Sequence, residues 1–405
     1  MSKVLLVTSR FPYGNSEQFL EHELPYWGKE ELKILPLMSD SETERACGFC
    51  ISDKFNISRL SRSEKIVSAL YISCDMEFWK ELLFIVSRCK FKSFRPLLIY
   101  AILSNRLYLK INKAKAELKR AEVVYCYWSN WSLRAFAMAK RRIPNLSFKL
   151  ITRSHRVDLY AYAMPGGYMP FRHRFYRQVD AYYPISEDGK RYLSKNYGVP
   201  ADKIKIHRLG VPKKMVSDPG AEPIRDGIKL ISVSYAKRVK RLDRIVDAIA
   251  LIHRKCPETK VSWVHIGGGE LLPEIQKYAV SQGVECEWLG MQSNEFVLKY
   301  LSKAQRAIFV NVSDSEGVPV SIMEALSFGI PVVATDVGGT GELVSKRVGR
   351  LIKAPFEIEE IADGLISVYE NYPSPRELEG VYMAKCSGKN YESFIDDILS
   401  MKSNY

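Results

Sequence analysis

The sequence predicts an α/β protein with two domains, each built on a parallel sheet. At 405 residues, the chain is too long for one ordinary domain. Its content of 46% hydrophobic and 26% charged residues is typical of a soluble globular protein. Short β-rich runs alternate with helical segments almost throughout, and this alternation favours parallel sheets with helices on both faces.

The alternation predicts five strands in each half of the chain. In the first half they cover residues 3–8, 122–127, 148–153, 181–185 and 203–208, with helices that include 132–142 and Glu187–Tyr197. In the second half the strands cover 229–234, 260–266, 284–289, 307–312 and 330–335. The helices there cover 241–255, 271–282, 295–302 and 319–328.

The domain boundary is predicted at residues 212–227, a segment rich in proline, glycine and charge. Residues 1–211 would form the N-terminal domain and residues 228–386 the C-terminal domain. The last segment, 387–405, contains an amphipathic helix that we expect to pack back on the N-terminal domain. Two such domains facing across a cleft would bind ligands between the carboxyl ends of their sheets.

The charge of +14 is concentrated in a helical insert at about residues 51–120, which holds fifteen Lys/Arg and six Asp/Glu. Because aromatic and aliphatic residues interleave with these charges, the insert suits an anionic membrane surface. A basic face that only solubilises the domain is the main alternative. Nucleic acid is not expected as a partner, since no nucleic-acid-binding signature accompanies the charge.

The sequence also indicates where the protein works. No run approaches the roughly 18 apolar residues that span a bilayer, and the N-terminus resembles a buried strand more than a signal peptide. We therefore expect a cytoplasmic protein, peripheral at the inner face of the cell membrane. The pair Cys47 and Cys50 is a weak metal or redox signal, ordinary free thiols are the expectation, and no metal site is predicted.

The stretch SEGVPVSIMEALSFGIPVVATDVGG contains two glutamates, Glu316 and Glu324, on either side of a predicted helix start. Eight residues of helical rise would separate them by ~12 Å. Glycosidases place their paired carboxyls within about 9.5 Å, so this spacing argues against an acid/base pair. Alternatively, the glutamates hold two ends of one ligand whose diphosphate lies at the helix N-terminus. The two residues could also be a solvated cap and a surface helix position.

The pattern E-G-x-P-x-x-x-x-E-A followed by GIPVVATDVGGTGEL resembles the donor-binding signature of retaining family 4 glycosyltransferases. The segments VHIGGG (264–269), TRSHRVDLY (152–160) and YMPFR (168–172) extend this resemblance. It is closest to the bacterial enzymes of O-antigen, capsule and exopolysaccharide synthesis. The family implies the GT-B fold, with two Rossmann-like parallel-sheet domains. Residues 40–120 show no such resemblance.

The resemblance implies a donor site. Glu316, His155 and Lys240 would be catalytic: Glu316 would hold the sugar hydroxyls, His155 would lie near the donor sugar, and Lys240 would neutralise the diphosphate. The remaining donor-binding residues would be Glu324 at the ribose, Gly317, Val318, Gly14 and Gly339, with Lys237 or Arg238 as a second cation. The family usually has an arginine where this chain has Tyr235, so the second cation stays open.

The acceptor side is predicted more coarsely. Ser16 and Glu17 follow the first strand and would face the acceptor, and Asp158 and Arg172 are further candidates. Asp158 could instead orient His155 or cap the next helix. His155 itself could be an ordinary core histidine, Gly14 a turn glycine, and the basic residues around Lys240 a solvated turn.

The implied reaction transfers a sugar from a nucleotide-sugar to a saccharide or lipid-diphosphate-linked saccharide, with retention. We expect a UDP-sugar ahead of a GDP-sugar, no cofactor and no metal, since no D-x-D motif follows a strand. A nucleotide-sugar epimerase of the same architecture is one alternative. A non-catalytic protein that binds a sugar-nucleotide or a membrane is another.

Overall fold

A computed structural model describes residues 3–14, 17, 19–39, 45–174, 176–213, 227–304 and 306–401. The chain divides into two compact units. The first comprises Met1–His207 together with Tyr391–Tyr405, and the second comprises Arg208–Asn390. This division falls four residues before the predicted boundary after residue 211. Most of the predicted linker, residues 214–226, lies outside the described residues.

The first unit contains a six-stranded sheet within the described ranges. Its strands are β1 (Val4–Thr8), β2 (Leu32–Pro36), β3 (Cys50–Ile51), β4 (Val123–Cys126), β5 (Lys149–Ser154) and β6 (Ala181–Pro184). The spatial order is β3-β2-β1-β4-β5-β6, and every neighbouring pair is parallel. The order reverses direction between β1 and β4, which makes the space above these two strands the topological switch point.

The prediction of a strand at 203–208 is wrong. Residues Ala201–Lys203 form a 3₁₀ turn, and the segment that follows makes a single bridge, Tyr182 to Ile204. The backbone N–H groups of Lys205 and His207 still donate to β6. The segment is therefore an extended edge that hydrogen-bonds on one side only. The sequence analysis also missed β2 and β3, and β3 has only two residues.

Helices cover both faces of this sheet. They are α1 (Leu20–Glu23), α2 (Arg62–Leu70), α3 (Met76–Ser87), α4 (Phe94–Lys113), α5 (Lys115–Leu118), α6 (Trp131–Arg142) and α7 (Glu187–Tyr197). The predicted basic insert thus consists mainly of α2 to α5. Ser61 begins α2 with a capping box to Glu64, and Asp75 caps α3 through the N–H of Glu77.

The second unit contains another six-stranded sheet among the described residues. Its strands are β7 (Ile228–Val233), β8 (Val261–Ile266), β9 (Cys286–Trp288), β10 (Ala307–Asn311), β11 (Val332–Thr335) and β12 (Gly349–Ile352). The order is β12-β11-β10-β7-β8-β9, again parallel throughout. Its switch point lies between β7 and β10.

The helices of the second unit follow the predicted alternation, with three additions. They are α8 (Leu242–Lys255), α9 (Leu272–Ser281), α10 (Asn294–Leu301), α11 (Val320–Ser327), α12 (Thr340–Leu343), α13 (Ile358–Glu370) and α14 (Pro375–Lys385). The sequence analysis did not predict α12, α13, α14 or β12. The two parallel sheets with flanking helices nevertheless confirm the predicted fold class.

The last helix, α15 (Lys389–Leu399), belongs to the first unit. It buries Tyr391, Phe394, Ile395 and Ile398 there, which is the apolar face of an amphipathic helix. Asp397 accepts hydrogen bonds from the Tyr183 hydroxyl and Lys205 Nζ, both at 2.6 Å. In the part of the chain that the structure describes, no helix is both long and apolar enough to cross a bilayer.

Candidate active site

The candidate donor site lies at the switch point of the second sheet. The loop after β7 holds Lys240, and the loop after β10 holds Glu316. Because β7 and β10 are adjacent and parallel, both loops leave the same edge of the sheet. Two residues 76 positions apart in the sequence are thus brought together.

Glu316 is 6% exposed, and its Oε1 atom accepts three side-chain hydrogen bonds. The donors are Lys240 Nζ at 2.7 Å, Ser313 Oγ at 2.7 Å and Asn311 Nδ2 at 3.3 Å. A buried carboxylate needs such partners, since an unpaired charge away from water is costly. The site therefore holds an acid and a cation in contact, with the Lys240 side chain about a quarter exposed.

Glycines let a second loop pack directly against the Glu316 backbone. The N–H of Gly339 donates to the Gly317 carbonyl at 2.6 Å. Gly338 has φ +56°, and a Cβ atom there would lie 2.0 Å from the Glu316 carbonyl oxygen. Only glycine fits this approach, so the GG pair after β11 sets the position of the Glu316 loop.

Helix α11 begins directly after this loop, with Pro319 at its N-cap and no side-chain cap among the described residues. Its first N–H groups and the positive end of its dipole point toward the loop of Gly317 and Val318, which is suited to bind an anion. Glu324 lies on α11, is 5% exposed and accepts from Asn294 Nδ2 at 2.8 Å. The reading of Glu316 and Glu324 as solvated residues is therefore wrong, because both are buried.

The two glutamates bond to different segments. Glu316 contacts the loops after β7 and β10, whereas Glu324 contacts the start of α10. The two carboxylates are thus held by different parts of the second unit, and the donor roles of both residues stay predictions.

Lys237 and Arg238 are the predicted candidates for a second cation at the diphosphate. Lys237 and Arg238 are exposed and line a cavity of about 480 Å³ beside the start of α8. Lys237 Nζ lies 5.6 Å from the centre of the exposed Tyr235 ring, a cation–π distance. Arg241 is not a candidate, because Asp243 and Asp314 already bind its guanidinium at 2.8 and 3.4 Å.

The first unit has its own candidate residues at the carboxyl end of its sheet. Gly14 lies in the loop after β1 with φ +64°, a left-handed conformation that favours glycine. Ser16 lies outside the described residues. Glu17 is described, buried and in a positive-φ conformation itself.

Glu17 was predicted to contact an acceptor, but in the structure its carboxylate is bound by groups of the protein itself. The N–H groups of Ser9, Arg10 and Phe11 donate to it at 2.7–2.8 Å. Trp128 Nε1 donates at 2.6 Å. Four donors match the about four lone-pair positions of a carboxylate. Glu17 therefore shapes the loop after β1 and ties it to the loop after β4.

His155 follows β5 and is buried between two aromatic rings. The Tyr127 and Trp128 ring centres lie 4.9 and 4.6 Å from its own. Neither ring nitrogen has a hydrogen-bond partner within the described ranges. A buried imidazole without partners is unusual for a core histidine, so the arrangement favours the functional reading.

Asp158 and Arg172 hold the backbone around His155 through hydrogen bonds. Asp158 accepts from the backbone N–H groups of His155 at 2.6 Å and Ser129 at 2.7 Å. Its Oδ2 lies 3.7 Å from His155 Nδ1, too far for a hydrogen bond. Arg172 donates to the Ser129 hydroxyl at 2.5 Å, to the Ser129 carbonyl and to the Asp158 carbonyl.

The acceptor-binding role of Asp158 and Arg172 stays a prediction, and in the structure both side chains already bind protein groups. Both side chains are about 5% exposed, and both bind the loops after β4 and β5. They position the backbone on either side of His155. Asp158 neither bonds to the imidazole nor caps an α-helix, because only a 3₁₀ turn (Ala161–Ala163) follows.

Sequence reasoning missed the residues that hold the glutamates: Asn311, Ser313 and Asn294. Asn311 and Ser313 do carry a signal, because they are polar residues at the carboxyl end of a buried strand. Asn294 carries no such signal, since nothing in the sequence around it indicates that the start of α10 lies next to Glu324. In the described part of the chain, no group of three or more His, Cys, Asp and Glu could hold a metal ion. Cys47 and Cys50 are free thiols.

This two-sheet fold is shared with solved structures of other proteins. A lipopolysaccharide outer core galactosyltransferase, WaaB, matches at TM-score 0.69 and 16% identity, covering 98% of this chain and 99% of that one. Anabaena HepE in complex with UDP-glucose matches at TM-score 0.66 and 15% identity, covering 99% and 100%. The fold is therefore GT-B, as predicted.

The sequence of the second unit matches a family model. The model described as glycosyl transferases group 1 matches residues 218–380, and this part of the chain is a domain of that family.

Two relatives come from bacterial polysaccharide synthesis. The amylovoran biosynthesis glycosyltransferase AmsK of Erwinia amylovora is 26% identical over 237 residues, 56% of this chain and 57% of that protein. The putative colanic acid biosynthesis glycosyltransferase WcaL of Escherichia coli K12 is 27% identical over 231 residues, 56% of each chain. The match thus spans little more than half the length of these curated relatives.

Proposed function

We propose that this chain is a retaining glycosyltransferase that moves a sugar from a nucleotide-diphosphate-sugar to a saccharide hydroxyl. The observation that carries the proposal is the contact of Lys240 with buried Glu316 at the switch point, next to the N-terminus of α11. A cation and a helix N-terminus suit a diphosphate leaving group, and a buried carboxylate suits the hydroxyls of a sugar.

The chemistry needs stabilisation of two developing charges. As the bond between the anomeric carbon and the diphosphate oxygen breaks, negative charge accumulates on the diphosphate. Lys240 and the N–H groups at the start of α11 would stabilise it by preorganised electrostatics. The acceptor hydroxyl would attack from the face that the leaving group vacates, with its proton passing to a diphosphate oxygen. This account needs no protein nucleophile and no metal.

The relatives support a substrate class. AmsK and WcaL are named for amylovoran and colanic acid synthesis, and another relative, WbnH of Escherichia coli, for O-antigen synthesis. We propose a role in bacterial surface polysaccharide synthesis, with a lipid-diphosphate-linked saccharide as acceptor at the inner face of the cell membrane. HepE was solved with UDP and with UDP-glucose, which supports a UDP-sugar as donor.

The test combines donor turnover with a matched pair of variants. Glu316→Ala should abolish transfer while the circular dichroism spectrum stays native, because the carboxylate serves the donor sugar. Glu379→Ala is the control: it removes an exposed carboxylate that pairs with Lys213 in the same unit. Equal turnover of Glu316→Ala and wild type would contradict the assignment of Glu316 to the donor site.

The readout also separates the alternatives. Mass spectrometry of candidate donors, with and without saccharide acceptors, reports whether a sugar is transferred. An epimerase would change the donor without an acceptor, and a binding protein would change nothing. A thermal-shift screen with UDP, GDP and ADP precedes this assay, because a tight ligand stabilises the folded state by mass action.

A further inference from the structure

Large apolar side chains are exposed along one stretch of the sequence in the first unit, residues 66–94. They lie on α2, on α3 and on the segment that leads into α4. Met76, Trp79, Leu83 and Phe91 are exposed by 67%, 43%, 68% and 66%. Ile66, Val67, Leu70, Val86 and Phe94 add to the set. Exposed apolar residues in such number mark an interaction site more often than chance.

Helix α3 shows the feature most clearly. Its inward face buries Phe78, Glu81 and Ile85. Its outward face presents Met76, Trp79, Leu83 and Val86, at spacings of three and four residues. A helix at a water-facing surface normally carries polar residues on this outer face. Helix α3 instead has a second apolar stripe, which nothing in the described part of the chain covers.

Basic residues outnumber acidic ones beside this stripe. Between residues 62 and 95 the chain has seven Lys/Arg and four Asp/Glu. All four acids are engaged: Glu64 with Lys113, Asp75 with Arg134, and Glu77 and Glu81 with Arg174. The exposed Arg88, Lys92 and Arg95 pair with no carboxylate in the described part of the chain. The surface therefore presents positive charge, because the acids of this stretch already pair with other cations.

We propose that this surface, formed by α2, α3 and residues 88–95, docks on an anionic lipid bilayer. Apolar side chains beside basic ones are the composition of an interfacial membrane anchor. Trp79 fits the interface, because its indole N–H already donates to the Ser73 carbonyl at 2.9 Å and its ring is left to contact lipid. The apolar side chains of Leu83 and Met76 would not bind the phosphate backbone of a nucleic acid. They therefore favour a membrane over nucleic acid as the partner.

The surface does not depend on the proposed transferase activity. It lies on residues that show no resemblance to family 4 glycosyltransferases, and none of its members is a candidate site residue. Donor turnover and membrane binding can therefore succeed or fail separately. If both hold, the bilayer surface would concentrate the enzyme where a lipid-linked acceptor is found.

The experiment measures co-sedimentation of the full chain with phosphatidylcholine vesicles, with and without 30–40% phosphatidylglycerol at about 0.1 M salt. The charge variant is Arg88→Gln/Lys92→Gln/Arg95→Gln. Its control, Arg254→Gln/Lys255→Gln/Lys277→Gln, removes the same charge from exposed positions of the second unit. The apolar variant is Leu83→Ser/Phe91→Ser, with Val280→Ser, exposed by 80%, as control.

We expect binding to the anionic vesicles that weakens with salt. Each surface charge near anionic lipid contributes about fivefold in affinity, so the triple charge variant should bind about a hundredfold more weakly. The apolar variant should lose at least about tenfold, and both controls should bind like the wild type. All variants should keep the wild-type melting temperature, because every substituted side chain is exposed.

Three results would overturn the proposal. Equal binding to neutral vesicles would exclude recognition of anionic lipid. Equal losses in the charge variant and its control would mean that only net charge matters. Absence of vesicle binding, with a dimer in sedimentation velocity that Leu83→Ser/Phe91→Ser dissociates, would assign the surface to a second copy of the chain.

Discussion

Lys240→Met tests the centre of the proposed donor site. Methionine keeps most of the length and apolar volume of the lysine stem and removes only the ammonium group. The ammonium nitrogen lies 2.7 Å from Glu316 Oε1. At this distance the Coulomb energy is about 1.5 kcal/mol in water and about 6 kcal/mol at an effective dielectric constant of 20.

The exposed fractions of the two side chains decide where the Coulomb energy of the pair lies between these two values. The Glu316 side chain is 8% exposed and the Lys240 side chain 25%, so the pair is partly desolvated. Part of the Coulomb gain offsets that desolvation, and a hydrogen bond to a charged group contributes about 1.5–3 kcal/mol net. Lys240→Met should therefore lower the free energy of unfolding by about this amount in urea titrations.

The effect on ligand binding distinguishes a donor site from a structural ion pair. If Lys240 neutralises the diphosphate, Lys240→Met loses about 1.5–3 kcal/mol of UDP affinity, a factor of about 10 to 150 in Kd. Isothermal titration calorimetry measures this for UDP and for uridine. Uridine lacks the phosphates, so its affinity should not change.

Lys255→Met is the matched control, since Lys255 is an exposed lysine at the end of α8 in the same unit. It should leave both affinities at the wild-type value. The reasoning is refuted if UDP affinity is unchanged in Lys240→Met. It is also refuted if uridine and UDP weaken equally, because a general distortion of the loop would have that effect.

Two further predictions concern the second unit. Burial lowers the pKa of His265 to about 4 from an ordinary 6.5. The unfolded state therefore binds more protons in this window, and the free energy of unfolding should fall by about 3 kcal/mol as the pH drops from 6.5 to 4. His265→Gln should show a smaller fall in urea titrations across that range, and an equal fall would assign the pH dependence to other groups. Gly338→Ala should abolish sugar transfer, since its Cβ would lie 2.0 Å from the Glu316 carbonyl oxygen. Gly283→Ala has a similar φ of +67° but open space around its Cβ, so it should cost about 1–2 kcal/mol of stability and leave transfer intact. Equal turnover of the two variants would show that the close contact does not position the site.

The fold was predictable because its main strands are continuous apolar runs. Strands β10 and β11 are buried on both faces, and their runs of apolar residues are visible in the sequence. The strands that were missed are short or begin irregularly. For example, β3 has two residues, and β12 begins at a glycine with φ +145°.

The site was predictable only in part. Glu316, Glu324 and Lys240 belong to local motifs. The structure places Lys240 and Glu316 in loops at the carboxyl edge of the second sheet and Glu324 on the helix that follows. Glu17 was predicted to contact the acceptor from its place after the first strand, and Arg172 from the YMPFR segment of the resemblance. The structure shows that backbone groups and one indole N–H from nearby loops bind them instead.

What the sequence determined by itself is the α/β alternation, the motif around Glu316 and the basic amphipathic insert. These features rest on local order, namely apolar periodicity, glycine and proline placement, and charge. Tertiary structure alone decided which polar side chains are already engaged. Glu17 is bound by four donors, and the acids near α3 are paired, whereas Arg88, Lys92 and Arg95 are left without carboxylates in the described part of the chain. The physical reason is that a buried polar group takes its partners from loops that only folding brings together, so residue type and spacing do not reveal them.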